Sequence, residues 1–211
     1  MQRFFSGLPL RIGLSWGGRF ISLSVQILIT PLLLHWLGDL HFSAYQVTNS
    51  LSGWFVLCSF SIGPALKNLI LEYRSNGQSD EPTRQTAAIF VWGLWLGFTL
   101  IFSVVAFPTA KLLLGSLIGD DGWAAAAFVV SVLLMIVIGV GQVGYDALFA
   151  DGRGQLAYLL PAAGQGVGLV LIYVAKSLGG FEIHRLFGTS LLWFVPQTIS
   201  AVIALYMGKV L

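Results

Sequence analysis

Residues 12–34 read IGLSWGGRFISLSVQILITPLLL, a continuous apolar run in which Arg19 is the one charged side chain. A helix crossing the roughly 30 Å hydrocarbon core of a bilayer needs about 20 such residues. The run has that length, and it lacks the small-residue cleavage site after a short apolar core that would make it a removed signal peptide. Its polar residues are not scattered. Ser15, Arg19, Ser22, Gln26 and Thr30 follow one another at steps of 4, 3, 4 and 4, which on a helix puts them in one narrow stripe. A centrally placed arginine costs at least about 2.5–3.5 kcal/mol on insertion scales, so the stripe is expected to face protein or water and not acyl chains. Two readings stay open. Arg19 lies near the end of the span and reaches headgroups while the serines and glutamine bond neighbouring helices, or a water-filled cavity holds Arg19 as an anion contact. Pro31 removes a backbone donor and is expected to bend the far end of the helix.

Working outward, five more stretches have membrane length, near 43–66, 87–107, 123–149, 156–178 and 186–207. Within all six, only Arg19, Asp146 and Lys176 are charged. Continuous apolar runs lack the period-2 alternation of membrane strands, so the expected class is an all-α, multi-pass membrane protein forming a single six-helix unit over 1–211. The connectors 35–42, 67–86, 108–122, 150–155 and 179–185 are too short to fold as separate domains. Lysine and arginine near the span ends divide eight (Arg3, Arg11, Arg19, Lys67, Arg74, Arg84, Arg153, Lys209) against three (Lys111, Lys176, Arg185), which predicts both termini on the cytoplasmic side.

Composition supports the class. Of 211 residues 56% are hydrophobic and 9% charged, against about a quarter charged in soluble domains. The net charge of +2 carries no basic patch, which argues against a nucleic-acid partner. The single Cys58 excludes an internal disulfide and is read as a packing residue. His35, Asp39 and His41 cluster in the first connector without a fourth ligand, so no metal is expected. No nucleophile elbow, phosphate loop or zinc-protease pair occurs, and neither an enzyme nor a cofactor is indicated.

Further polar positions recur on the other spans. Gln46, Asn49, Ser50 and Gly53 share one broad face of the second. Ser131, Gln142 and Asp146 share a side of the fourth, where Asp146 is either an interfacial carboxylate paired with Arg153 or a proton or substrate site. Spans five and six add Gln165, Thr189, Trp193, Gln197 and Ser200. Gly164 and Gly168 form a small-xxx-small pair that predicts close helix packing. Most of the seven tryptophans, Trp36, Trp54 and Trp123 among them, are read as interfacial anchors.

The segment from Arg19 to Gln78 carries Arg19, Gln26 and Pro31 before a Leu37-Gly38 turn, then Trp54, Ser61-Ile62-Gly63, Asn68, and a polar loop with Glu72 and Arg74. This order resembles the opening third of the polysaccharide-transporter flippases of the multidrug/oligosaccharidyl-lipid/polysaccharide exporter superfamily. Tyr145 to Tyr158, YDALFADGRGQLAY, is similar to that family's connection between spans four and five. The resemblance implies one six-helix lobe of a MATE-like fold, completed by a second lobe that is either the rest of a longer protein or another copy. It implies a plasma-membrane (bacterial inner-membrane) flippase moving lipid-linked oligosaccharide by alternating access. Arg19, Gln26 and Asn49 are then substrate contacts, Asn68 a motif residue at the cytoplasmic end, and Ser15, Ser22, Thr30, Gln46 and Gln142 cavity lining. Two other functions stay open: a cation-coupled multidrug exporter with Asp146 as the coupling carboxylate, and a membrane scaffold subunit that transports nothing.

Overall fold

The computed structural model describes residues 8–59, 62–118, 122–179 and 184–210, with the side chains of 8–11, 51–59, 103, 106 and 116–118 outside the description. Trp54 and Cys58 therefore lie outside the described side chains. Six helices account for nearly all of it: α1 (Leu8–Ser59), α2 (Ile62–Ser75), α3 (Glu81–Ile118), α4 (Gly122–Ala150), α5 (Gly154–Ser177) and α6 (Arg185–Met207). By length and composition, five helices can cross a membrane, over 12–50, 81–102, 122–150, 154–177 and 185–207.

Helix α1 would be about 78 Å long if straight. It is broken at Gly38, whose φ of 74° and ψ of 167° leave the helical region in a conformation that suits glycine. The sequence reading expected an eight-residue connector here, 35–42. The structure confines the departure to one residue because the corner is packed: Trp36, Leu37, Ala44 and Tyr45 are all buried around it. A helix break leaves carbonyls without their intrahelical partners, and Arg185 donates to one of them, the Trp36 carbonyl, at 3.2 Å. The start of α6 is thereby tied to the α1 corner.

Two other expected loops are helical. Residues 62–75 form α2, which takes in the first part of the expected loop 67–86, with Gly63, Leu66 and Ile70 buried on one face and Asn68, Glu72 and Arg74 among the exposed side chains. That 3–4 spacing is an amphipathic pattern, and Gly77 ends the helix with a φ of 70° while its N–H reaches the Arg74 carbonyl at 3.1 Å. Residues 108–118, read as connector, continue α3 through Pro108. Ala110 and Leu114, four apart, bury themselves in the core, and Thr109 Oγ1 donates to the Val105 carbonyl at 2.7 Å beside the proline.

Helix α4 is the centre of the bundle and touches each of the other five helices. Its composition fits that position, for it is apolar over most of its surface, Ser131, Gln142 and Asp146 apart, and has small residues where α6 approaches. A Cβ placed on Gly144 would lie 2.5 Å from the Leu205 nitrogen, and Gly141 faces Ala201. Between α5 and α6 the Gly164 and Gly168 pair does what its spacing predicts. A Cβ on Gly164 would meet the Pro196 carbonyl and Gln197 Cα at 3.0 Å, and one on Gly168 the Trp193 carbonyl at 3.2 Å. Helix α3 sits at the edge and leaves Ile89, Trp92, Leu100, Val104 and Leu112 exposed. So wide an apolar surface is unsuited to water and normal against lipid or another apolar partner.

Candidate functional site

The two ends of the bundle differ. One end holds the Gly38 corner, the start of α6, and Trp123 stacked on His184 at 4.0 Å between ring centroids. The other holds the α4–α5 turn, α2 and the last turn of α6.

Between the middle and the Gly38 end lies a cavity of about 410 Å³, lined on α1 by Gln26, Thr30, Gln46 and Asn49. The facing helices contribute Gln165, Trp193 and Gln197, with Phe42, Tyr45 and Phe194 forming apolar walls. No charged side chain lines it. Five carboxamides and a threonine can donate and accept hydrogen bonds in several directions, and aromatic rings offer flat apolar faces. Gln197 Nε2 is held by the Trp193 carbonyl at 2.9 Å, whereas the Gln165 side-chain oxygen is buried with no partner among the described residues. Such an acceptor is expected to find a ligand or water. The break at Gly38 positions the site: it folds the second half of α1 back so that Gln46 and Asn49 face the same space as Gln26 and Thr30.

Arg19 and Ser15 belong to a second concavity of about 310 Å³, between α1 and the start of α5, lined also by Trp16, Gln155 and Tyr158. The Arg19 guanidinium lies over the Tyr158 ring, 4.3 Å from its centroid, and over Trp16 at 5.9 Å. It also donates to the Tyr158 hydroxyl. Among the described residues Arg19 has no ion pair. The two sites are separated by the seven residues from Arg19 to Gln26, about 10 Å of helix. Of the two readings left open by the sequence, one puts the whole stripe on a single cavity and the other puts Arg19 near the end of its span. The structure puts Arg19 level with the α4–α5 turn, at the end of the bundle, and only Gln26 and Thr30 of the stripe on the amide cavity. Ser22 and Gln142 are half-buried and line neither.

Asp146 is also set apart. It is half-buried against Gly63 of α2, where a Cβ would collide with its carboxylate, and the cation whose charge reaches it is Lys67. The expected Arg153 pairing is not formed. Asp146 lies eleven residues beyond Met135, the α4 residue that touches the amide cavity, which is about 16 Å along the axis.

The sequence reading missed an ionic cluster at the same end. Arg84 is 5% exposed. Its Nη2 meets Asp151 at 2.6 Å and Asp80 at 3.1 Å, and its Nη1 donates to the Gly208 carbonyl. Arg74 joins from α2, at 2.8 Å from Asp80 and 2.7 Å from Asp151, and donates to the Ala150 carbonyl at 3.1 Å. Partial desolvation pushes the Asp80 carboxyl up, but hydrogen bonds and charge from Arg84 and Arg74 together outweigh it and hold the group below the usual carboxylate range. The hydrogen bond that Arg74 donates to Asp151 leads the effects that raise its guanidinium further. The cluster ties α2, α3, the α4–α5 turn and the end of α6. Asp80 and Arg84 are a local pair four residues apart, but nothing local links them to Arg74 or Asp151, so only the fold reveals the cluster. Among the described residues no group of three or more His, Cys, Asp or Glu gathers as a metal site.

Comparison with known proteins gives distant relatives. The chain is 25% identical over 191 residues to the "Putative O-antigen export protein" of Yersinia pseudotuberculosis, covering 90% of this chain and 44% of that protein. It is 28% identical over 194 residues to the "Putative O-antigen transporter" of Salmonella typhi, covering 90% and 43%. A protein of the same name from Salmonella typhimurium is 26% identical over 166 residues, covering 77% and 38%. The chain thus spans less than half the length of the curated relatives it matches. No family model matches it, and no solved structure matches it significantly. It is a multi-pass, all-helical membrane protein whose distant homologues are named for export or transport and not for catalysis.

Proposed function

We propose that the chain is one six-span lobe of a flippase for lipid-linked oligosaccharide, acting in the synthesis of cell-surface polysaccharide at the bacterial inner membrane. The observation that carries this reading is the uncharged cavity of Gln26, Thr30, Gln46, Asn49, Gln165 and Gln197 beside Trp193. A glycan presents many hydroxyls of both hydrogen-bonding senses and apolar ring faces, and amides with aromatic walls answer both. Neutral amides accept such a ligand without the desolvation cost of a buried charge. The relatives' names supply the substrate class.

Counting α1 as two crossings, about the Gly38 break, gives six spans with both termini on one side. The surplus of lysine and arginine at the α4–α5 end makes that side cytoplasmic. Arg19 then meets the diphosphate of the carrier lipid near the inner leaflet while Gln26 and Asn49 contact sugar deeper in. Rocking against a second lobe would move the cavity from one face to the other. Asp146 lies far from this cavity, and the position favours the flippase over a reading in which that carboxylate couples a cation to drug export.

The test is Gln26→Ala with Asn49→Ala in the intact protein. Surface polysaccharide is expected to fall at least tenfold with membrane abundance unchanged. Normal polysaccharide in the double variant rejects the proposed role of the cavity.

A further inference from the structure

The amide cavity holds no charge, and the chain around it has none to lend. Among the described residues every lining side chain is neutral. Residues 20–59 carry one formal charge, the acidic Asp39, and residues 155–175 and 186–207 carry none. The two cations that come nearest to the lining along the chain are engaged elsewhere. Arg19 lies over the Tyr158 ring, about 10 Å down α1 from Gln26, and Arg185 is bonded to the Trp36 carbonyl at the Gly38 corner. Asp39 stands exposed at that corner, where its sign repels an anion.

A carboxylate drawn into such a space gives up its water and meets no cation in return, which is the costly half of burying an ion pair. Hydrogen bonding acts in the same direction. Gln197 gives an amide N–H to the Trp193 carbonyl at 2.9 Å, and the Thr30 hydroxyl gives its one hydrogen to the Gln26 carbonyl at 3.4 Å. Because a carbonyl can only accept, both bonds consume donors and leave the Gln197 amide oxygen and the Thr30 lone pairs to accept. A sugar hydroxyl answers in either sense, whereas a carboxylate offers lone pairs alone and opposes them. Phe42, Tyr45, Trp193 and Phe194 complete the wall with apolar surface. That surface suits the C–H faces of a pyranose ring and gives a carboxylate nothing.

We propose that this cavity selects by charge, passing repeat units built of neutral hexoses or N-acylated amino sugars and discriminating against those that contain a hexuronic acid. Each residue of the unit must cross the cavity in transit, so one carboxylate is enough to slow the whole. The selectivity belongs to the same site as the transport reading and rests on it. Gln46, half-buried on the returning half of α1, is a position where one side chain can reverse the preference, because a guanidinium there supplies the missing partner for a carboxylate.

The experiment expresses the intact protein in two bacterial strains that lack their own flippase. The strains make the same repeat unit except at one residue, a neutral hexose in one and the matching hexuronic acid in the other. Surface polysaccharide is read in each as a fraction of what the strain's own flippase restores. The neutral fraction is expected to exceed the acidic one by at least about tenfold, as an unpaired buried carboxylate requires. Gln46→Arg should raise the acidic fraction several-fold and lower the neutral one. Gln46→Met, which brings no charge, should leave the ratio unchanged whatever it does to the total. The unaltered protein carries the test by itself, so the result stands even where Gln46→Arg fails to insert. Equal fractions, or a larger acidic one, overturn the charge selectivity and leave the transport role standing. An arginine variant present at normal abundance that does not raise the acidic fraction overturns it as well. Restoration of neither glycan, with the protein in the membrane, overturns the transport role and the selectivity with it.

Discussion

Replacing Arg84 by methionine removes one guanidinium from four contacts at once. The side chain is 6% exposed and bonds Asp80 through Nε at 3.2 Å and Nη2 at 3.1 Å, Asp151 at 2.6 Å, and the Gly208 carbonyl. Taking one partner from a buried ion pair costs about 3–5 kcal/mol because the other charge stays behind unpaired. Here the loss is partly relieved. Arg74 remains within 2.8 Å of Asp80 and 2.7 Å of Asp151, and the two carboxylate side chains keep 21% and 14% of their exposure, so water can reach them. A cost of about 2–3 kcal/mol is therefore expected for Arg84→Met. Arg74→Ala should cost less, at most about 1 kcal/mol, because that side chain is 43% exposed and its pairs are solvent-screened. Reversible unfolding of the chain in mixed micelles, followed by circular dichroism, measures both. Equal costs, or a larger one for Arg74, would refute the argument that burial and not the number of ion pairs decides which arginine holds this end together. The same cluster sets a pH dependence. Asp80 is held below the usual carboxylate range in the folded chain, so its stabilising effect is full above the ordinary carboxylate value and is lost as pH falls through the folded one. Arg74 is charged in folded and unfolded states throughout that window and contributes no slope.

Other substitutions test the packing and the break. Gly144→Val places its Cβ 2.5 Å from the Leu205 nitrogen and 2.6 Å from the Ala204 carbonyl carbon. Backbone cannot swing aside, so the cost should reach about 3 kcal/mol in the same unfolding assay, the upper range of overpacking. Gly97→Ala, with nothing within 4 Å of the new Cβ, should instead stabilise α3 by about 0.5–1 kcal/mol. Gly38→Ala forces a side chain to a φ of 74° and should cost about 1–2 kcal/mol. Arg185→Ala, which leaves the Trp36 carbonyl without its donor, should cost about 1 kcal/mol and no more than Gly38→Ala.

Helices α4, α5 and α6 were legible because each is an apolar run of membrane length closed by turn residues, and their ends fall within two residues of the stretches read from the sequence. The Leu37-Gly38 turn was legible as a position but not as a shape. A glycine that can take positive φ allows a corner of one residue, and whether the flanking residues stay helical depends on what buries them, here the packing of Trp36 and Tyr45. Helix α2 was hidden by its own polar face, since LKNLILEYRS reads as loop unless the spacing of Gly63, Leu66 and Ile70 is weighed above the charges. Asp151 carries no signal in the sequence, because nothing in its local sequence points to arginines 77 and 67 residues earlier.

The polar stripe of α1 shows the limit most clearly. Spacing at about 100° per residue gives the azimuth of Arg19 and Gln26, and both do turn toward concavities. It says nothing of which helix each one meets, and the two meet different ones: Arg19 finds Tyr158 of α5 at the end of the bundle, Gln26 finds the α6 wall of Trp193 and Gln197. The division has a physical reason. A guanidinium in mid-membrane costs several kcal/mol, whereas at the bundle end it reaches water and headgroups. Carboxamides can stand deeper, because they satisfy one another or a ligand without carrying charge. One stripe thus supplies a charged contact where charge is cheap and a neutral one where it is not. If Gln26→Lys with Arg19→Gln, which moves the charge to position 26, were to insert and sustain surface polysaccharide as the unaltered chain does, depth would not be what separates the two sites.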